Sequence, residues 1–309
     1  MLTKKNGFTL IEISIVLAII GLLAGGVLAG RELISAAYLR AQVSQVNAMQ
    51  LAVKTFRLKY NCLAGDCINA ESFGFVPSRN IRGGGDSNGV LEGLGSTCQS
   101  WPTSDADQVP YEARHFSQLL GENAVFWRDL SEANLIPNKL TYAENDGSGP
   151  LGCDPWACMD PTPSTSPSIY EFYPKAKIGG NNIMYVYSDE RTNFFGLSEA
   201  QMTRCFYLDT EPTITVSDAR NIDQKIDDGL PMQGGVQAKY LNQNMNPYGP
   251  YAAGVFWSGH ALLDDPDDAT AASENTCFDN GGVADAEQRY STAINNGNSR
   301  TCGISFKFQ

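Results

Sequence analysis

The chain has 309 residues, with 22 Lys+Arg against 34 Asp+Glu and a formal net charge of −12. An acidic total argues against a general nucleic-acid binder, which needs Lys and Arg to displace counterions. With 18% charged and 42% hydrophobic residues, wholesale disorder is excluded as well. The averages conceal a division. Residues 1–60 hold seven basic and two acidic side chains, no proline and no cysteine. Residues 61–309 hold fifteen basic and thirty-two acidic groups, a balance of −17, with all 15 prolines and all eight cysteines. Two physically different segments meet near residue 60.

Met1 to Gly7 reads MLTKKNG, with two lysines and no acid. It is too short for an ordinary secretory signal with an Ala-x-Ala cut. Phe8 to Gly30 is a run of 23 residues whose only charge is Glu12. As a helix rising ~1.5 Å per residue it measures ~34 Å, enough to cross a bilayer. Lys4 and Lys5 favour a cytoplasmic N-terminus, a bias that Arg31 weakens. A carboxylate inside an apolar span costs roughly a few kcal/mol, so Glu12 is a functional candidate that needs a partner; a side chain snorkelling to the interface is the plainer alternative.

Beyond Arg31 the pattern turns amphipathic. Leu39, Val43, Val46, Met49, Val53, Phe56 and Tyr60 recur at steps of three and four and share one helix face, with Arg40, Gln45, Lys54 and Arg57 on the others. With no proline before Pro77, one helix of about fifty residues is expected, half in lipid and half packed on a head. Gly21, Gly25, Gly26 and Gly30 are its weak points, since a helical glycine costs roughly 1 kcal/mol against alanine.

Lys5-Asn6-Gly7 followed by Phe8-Thr9-Leu10-Ile11-Glu12 resembles the processing site of type IV prepilins and type II secretion pseudopilins. The resemblance covers residues 1 to about 30, and the helix to residue 60 extends it. It implies a leader, residues 1–7, removed by a prepilin peptidase after Gly7, and methylation of the new amine of Phe8. It implies that Glu12 pairs with the N-terminal amine of a neighbouring subunit, and that the helix can loosen at Gly21 in a fibre. Many pilins carry proline where this chain has Ala29, so any break would fall to Gly21, Gly25 and Gly26. The implied partners are other pilins or pseudopilins, the peptidase, an inner-membrane assembly platform and, before assembly, the lipid bilayer. The implied location is the inner membrane with a periplasmic head, then a pilus or pseudopilus. Residues 8–30 would be the transmembrane and assembly half of the helix and 31–60 its amphipathic half. The implied fold is α+β and pilin-like: a long N-terminal helix on a disulfide-bonded, loop-rich head with a small antiparallel sheet.

In that head, residues 61–309, helices are expected around His115–Leu120, through Trp127–Leu135, and from an N-cap at Ser217 through Ile222 and Ile226. Strands are expected at Ile183–Tyr187, Cys205–Leu208, Thr213–Val216 and Ile304–Phe308. The run 161–168 (PTPSTSPS) reads as a surface loop. Residues 60–93 and 219–231 more loosely resemble large prepilin-type proteins. Eight cysteines behind an exported N-terminus point to disulfides, with 105 possible pairings. Cys62 with Cys67 and Cys153 with Cys158 are natural local pairs. Cys277 and Cys302 enclose a longer stretch near the C-terminus, similar to the C-terminal disulfide loop of many pilins, which leaves Cys98 with Cys205. A four-cysteine zinc site is the rival, but this spacing with no nearby histidine fits it poorly.

Asp86, Asn88 and Glu92 offer oxygen ligands around Gly89, and Val90 a carbonyl, in a loop of the kind that binds calcium. The EF-hand pattern is not met, because Gly84 stands at the first acidic position, and a polar turn accounts for the same residues. The run Asp264-Asp265-Pro266-Asp267-Asp268 reads as a solvated loop. His115 and His260 stand beside no nucleophile motif, and no phosphate loop is present, so no enzyme chemistry is read here. Trp101, Trp127, Trp156 and Trp257 read as core or loop anchors.

The expected role is therefore a structural subunit of a type IV pilus-like filament. A head that takes up everything from residue 61 to 309 favours a minor or specialised subunit. The alternatives are a pseudopilin of a type II secretion system and, from another class, a membrane-tethered periplasmic binding module or enzyme. DNA uptake would need a basic stripe, against which the −17 balance argues.

Overall fold

The structure is a computed structural model and describes residues 9–75, 85–92, 121–141, 158–159, 169–189, 191–204, 207–242, 254–257 and 271–309. A single helix, α1, runs from Leu10 to Tyr60, 51 residues, as the uninterrupted periodicity requires. Thr9 caps its start, and Asn61 ends it in the left-handed conformation (φ 57°), its N–H donating to the Arg57 carbonyl. From Leu10 to Val27 every side chain is exposed; from Leu39 onward the face expected from the sequence is inserted into the head. Leu39, Val46, Met49, Val53 and Phe56 are buried in the core, and Val43 and Tyr60 pack at its margin.

The head is built on a six-stranded antiparallel sheet around one long strand, β3 (Thr192–Arg204). The strand β2 (Asn182–Asp189) forms a hairpin with it, pairing Asp189 with Thr192 and Asn182 with Glu199. Also on β3 are β1 (Cys158–Met159), β4 (Tyr207–Glu211) and β10 (Ile304–Lys307), and β10 in turn carries β5 (Val236–Gln237). Two small ladders, β6 (Lys239–Asn242) with β7 (Gly254–Trp257) and β8 (Phe278–Asp279) with β9 (Arg289–Tyr290), complete the strands. The helix α2 (Gly121–Glu132) and the helix α3 (Val216–Ile226) pack with α1 against the sheet. Tyr185, Tyr187, Phe195, Phe306, Trp127 and Phe56 are fully enclosed there, so the C-terminal half of α1 is an integral part of the core.

Several expected boundaries move. The segment expected as Trp127–Leu135 begins earlier and stops at Glu132, with Asn134 at φ 58°, a conformation that cannot continue a helix. Thr215, not Ser217, caps α3: its Oγ1 accepts the Asp218 N–H at 3.1 Å, which lets Val216 enter the core as the first helical residue. The expected strand 213–216 reduces to one bridge, Ile214 with Cys302, because the cap claims Thr215. The strand expected at Cys205–Leu208 is β4, shifted to Tyr207–Glu211, with residues 205 and 206 outside the described set. Outside it too lie the segment His115–Leu120, His115 and His260, Trp101 and Trp156, and the loops 161–168 and 264–268. Trp127 is a core anchor, stacked 5.7 Å from Phe195.

Candidate functional site

The first site is the start of α1. Thr9 and Glu12 form a reciprocal capping box: the Glu12 N–H donates to Thr9 Oγ1 at 3.3 Å, while the Thr9 N–H and hydroxyl both donate to Glu12 Oε2 at 2.8 Å. The box fixes the first turn and holds the lone carboxylate of the apolar run against its own helix end, where the positive end of the helix dipole favours it. Glu12 is exposed, as are Ile11, Ile13, Ile15, Val16 and Leu17 around it. Around Gly21, Gly25, Gly26 and Gly30 none of the described head residues comes within 4 Å of an added Cβ. Among the described residues, these glycines therefore answer to no contact with the head. The α1 helix is long and apolar enough to cross a membrane. Gly7 and Phe8 lie outside the described residues.

The second site is the seam between α1 and the head. Gln42 is fully buried on the apolar face, and its Oε1 accepts the N–H groups of Lys177 (2.8 Å) and Ile178 (3.1 Å). Its Nε2 donates to Met184 Sδ at 3.5 Å. Gln45 donates to the Lys175 carbonyl at 2.9 Å and shares the Lys177 N–H at 3.1 Å. Gln50 donates to the Lys307 carbonyl at 3.2 Å. Hydrogen bonds therefore fix the axial position of the helix, which apolar packing alone fixes less sharply. The hydrophobic pattern does not single out Gln42, although its phase, three residues beyond Leu39 and four before Val46, places it on the buried face.

Disulfides join Cys62 to Cys67, immediately after α1, and Cys277 to Cys302, just before β10. Cys158 lies in β1, opposite Arg204, with its side chain outside the described set; Cys98, Cys153 and Cys205 lie outside it altogether, so the pairs Cys153–Cys158 and Cys98–Cys205 are not addressed.

The third site is acidic. The loop 85–92 folds over the Cys62–Cys67 segment, with Ser87 N–H donating to the Asp66 carbonyl and Gly89 N–H to Asp66 Oδ2, both at 2.9 Å. Two glycines allow the approach. Gly85 lies so close over the Asp66 backbone that a Cβ there would overlap it, and Gly65 (φ 83°) does the same against the Glu122 carbonyl. As a result Asp86 is brought to Asp66 and Glu122, with one carboxylate oxygen of each within 4.8 Å of the other two. Of the loop residues singled out in the sequence, Asn88 donates to both Asp86 oxygens and accepts the Val90 N–H, while the Glu92 N–H donates to Glu122 Oε2 at 2.9 Å. Burial lifts the Asp66 carboxyl to about 6, the Asp86 charge adding to the rise. Burial first, then the Asp66 charge, pushes Glu122 well above the usual carboxylate range. Asp66 and Glu122 are distant in the chain and follow no ligand spacing, so no sequence signal joins them.

Residues 2–28 match the family model described as the prokaryotic N-terminal methylation motif, the prepilin-type cleavage and methylation signature. No curated protein and no solved structure shows significant similarity to the chain. The signature, continuous with an apolar helix that enters an α+β, disulfide-bonded head, supports a type IV pilin- or pseudopilin-like protein, and the N-terminal helix fits membrane anchoring before assembly.

Proposed function

We propose that the chain is a filament subunit, a minor or specialised pilin, processed after Gly7, methylated on Phe8 and assembled through residues 8–30, with the head of residues 61–309 on the outside. One observation carries this reading: the signature at residues 2–28 opens a 51-residue helix whose first half is bare and whose second half is locked into the head. The bare half presents Leu10, Leu22, Leu23 and their neighbours to the surroundings, an apolar surface that suits lipid or the same half of other copies. Prepilin peptidase, other pilins and the inner-membrane platform are the proposed partners. Glu12 leaves the Thr9 box, or shares it, to meet the Phe8 amine of an adjoining subunit. A carboxylate and an ammonium in low dielectric select a register rather than add much net stability. The size of the head favours a minor or specialised subunit over the bulk subunit of a fibre, and a pseudopilin of a type II secretion system is the alternative.

The test is made in the native host. Intact mass should show a chain starting at Phe8 with one added methyl group and formal charge 20 − 34 = −14. A Glu12→Ala variant should be cleaved and membrane-inserted yet poorly incorporated into sheared fibres. An Ala-x-Ala-type cut beyond residue 20 overturns the assignment, and normal incorporation of Glu12→Ala overturns the pairing.

A further inference from the structure

We propose that Asp66, Asp86 and Glu122 hold a divalent cation of the calcium type, which staples the disulfide loop behind α1 and the 85–92 loop to the first turn of α2. Asp66 is 1% exposed, yet its Oδ1 makes no hydrogen bond, while Oδ2 takes the Gly89 N–H. A buried oxygen of this kind, set in a carboxylate cluster, is free to coordinate a cation. Glu122 is equally enclosed, at 4% exposed, and its two oxygens take the N–H groups of Asp86 (3.4 Å) and Glu92 (2.9 Å). Each still has a lone pair to give. Asp86 lies on the exposed side, leaving an opening for the ion and for waters to complete its shell.

Among the described residues no basic side chain pairs with these three carboxylates: Arg128, on the same helix as Glu122, bonds to Asp129 and Glu132 instead. The donors are all oxygen, with no sulfur or imidazole, which suits a hard cation rather than zinc or copper. One oxygen from each of the three lies within 4.8 Å of the others, close enough for all three to reach one cation. Gly65 and Gly85 pack directly on the Glu122 and Asp66 backbones, and the burial of Asp66 and Glu122 sets the cluster apart from a gathering of surface acids. Asp66 and Glu122 also face each other closely enough to share a proton, which is the competing way to quiet the repulsion.

The experiment takes the full chain in detergent and follows melting in calcium, in magnesium at equal ionic strength, and in chelator, with a calorimetric titration of calcium. Wild type should bind one calcium with a Kd at or below roughly 1 mM, the weak end of extracellular calcium modules. It should melt several degrees higher in saturating calcium than in chelator, and magnesium should do less. Asp66→Asn keeps an acceptor for the Gly89 N–H and removes a charge; it should melt higher than wild type in chelator and lose the calcium response. Should that variant fail to fold, Asp86→Asn at the exposed edge should raise the calcium Kd at least tenfold. A wild type indifferent to calcium assigns the pocket to a shared proton and overturns the proposal. So does a calcium response undiminished in Asp66→Asn, or an unchanged Kd in Asp86→Asn.

Discussion

Gln42→Leu tests whether hydrogen bonding or apolar packing holds the spine to the head. Leucine is close in volume and suits the apolar face, so packing is largely kept. What goes is the acceptor for two backbone N–H groups, of Lys177 and Ile178. Lys177 keeps Gln45 Oε1 as a second acceptor; Ile178 loses its side-chain partner. Two hydrogen bonds at roughly 1 kcal/mol each, offset by the gain from burying leucine and increased by the stranded Ile178 N–H, give a net loss of about 2 kcal/mol. For a head of this size that is a fall of roughly 4–8 °C in melting temperature. Gln45→Ala, half-exposed, should cost at most about 1 kcal/mol. The decisive measurement is the double variant: both singles leave the Lys177 N–H one acceptor, and the double leaves none, so the two losses should sum to less than the observed total by about 1 kcal/mol. Thermal and denaturant unfolding of the detergent-solubilised chain would read all three. A Gln42→Leu loss well below the roughly 1 kcal/mol of a single hydrogen bond, or strict additivity, would refute the Gln42 clasp and make apolar packing the main attachment there.

Cys302→Ser opens a loop of sequence separation 25 and should cost roughly 3 kcal/mol by the chain-entropy account, read by denaturant unfolding and by earlier proteolysis of the β10 segment. Gly196→Ala places a methyl in the ring of Tyr185, its partner across β2 and β3, and should destabilise by about 3 kcal/mol or prevent folding, measured by melting and soluble yield. Asp223 accepts from Tyr290 and the Gly229 N–H, at 2.9 and 3.0 Å; burial pushes its carboxyl up to about 7, with Asp228 and Asp227 adding to the rise. Because the folded value is raised, its contribution is fully present below about pH 4 and lost as pH rises to about 7. Asp223→Asn should therefore flatten the decline in stability over pH 4–7, and an identical pH profile in the variant would count against it.

How far the fold could be read from the sequence depended on whether each pattern was local. The spine was fully legible, because the period of Leu39, Val46, Met49, Val53 and Phe56 is set within a few turns and no proline interrupts it. The strand β3 was not. Both its faces are covered, so residues 193–198 are all buried and the polar–apolar alternation that marks a surface strand is missing. Its second half, Leu197-Ser-Glu-Ala-Gln-Met-Thr-Arg204, is composed like a helix and is held extended only by its pairing partners. In the same way Asp86 could be picked out within its loop, but Asp66 and Glu122 could not, since what unites them is a backbone approach permitted by Gly65 and Gly85. The Cys277–Cys302 bridge was expected from its resemblance to pilin C-terminal loops, and the structure has it.

If residues 8–30 assemble as proposed, the bare half of α1 limits what can drive the step. In lipid its leucines and isoleucines already have an apolar environment, so moving them into a fibre core brings little hydrophobic gain; close packing, polar contacts and head contacts must supply the rest. Gly21, Gly25 and Gly26, clear of the described head residues, are the places where neighbouring helices could come closest. On the proposed pairing Glu12 would enter that step already bound, accepting from Thr9 twice at 2.8 Å. A neighbour's ammonium must therefore out-compete, or add to, bonds the subunit makes with itself. On the proposed pairing the capping box would act as a barrier to a wrong register, since an amine placed too far for a close ion pair would not displace the Thr9 bonds. Thr9→Val tests that reasoning. Losing the hydroxyl removes one Glu12 bond and the cap while leaving the carboxylate, so insertion should persist and incorporation should become less selective, admitting subunits at irregular axial steps. Fibres of normal yield and unaltered helical repeat from Thr9→Val would show that the box plays no part in setting register.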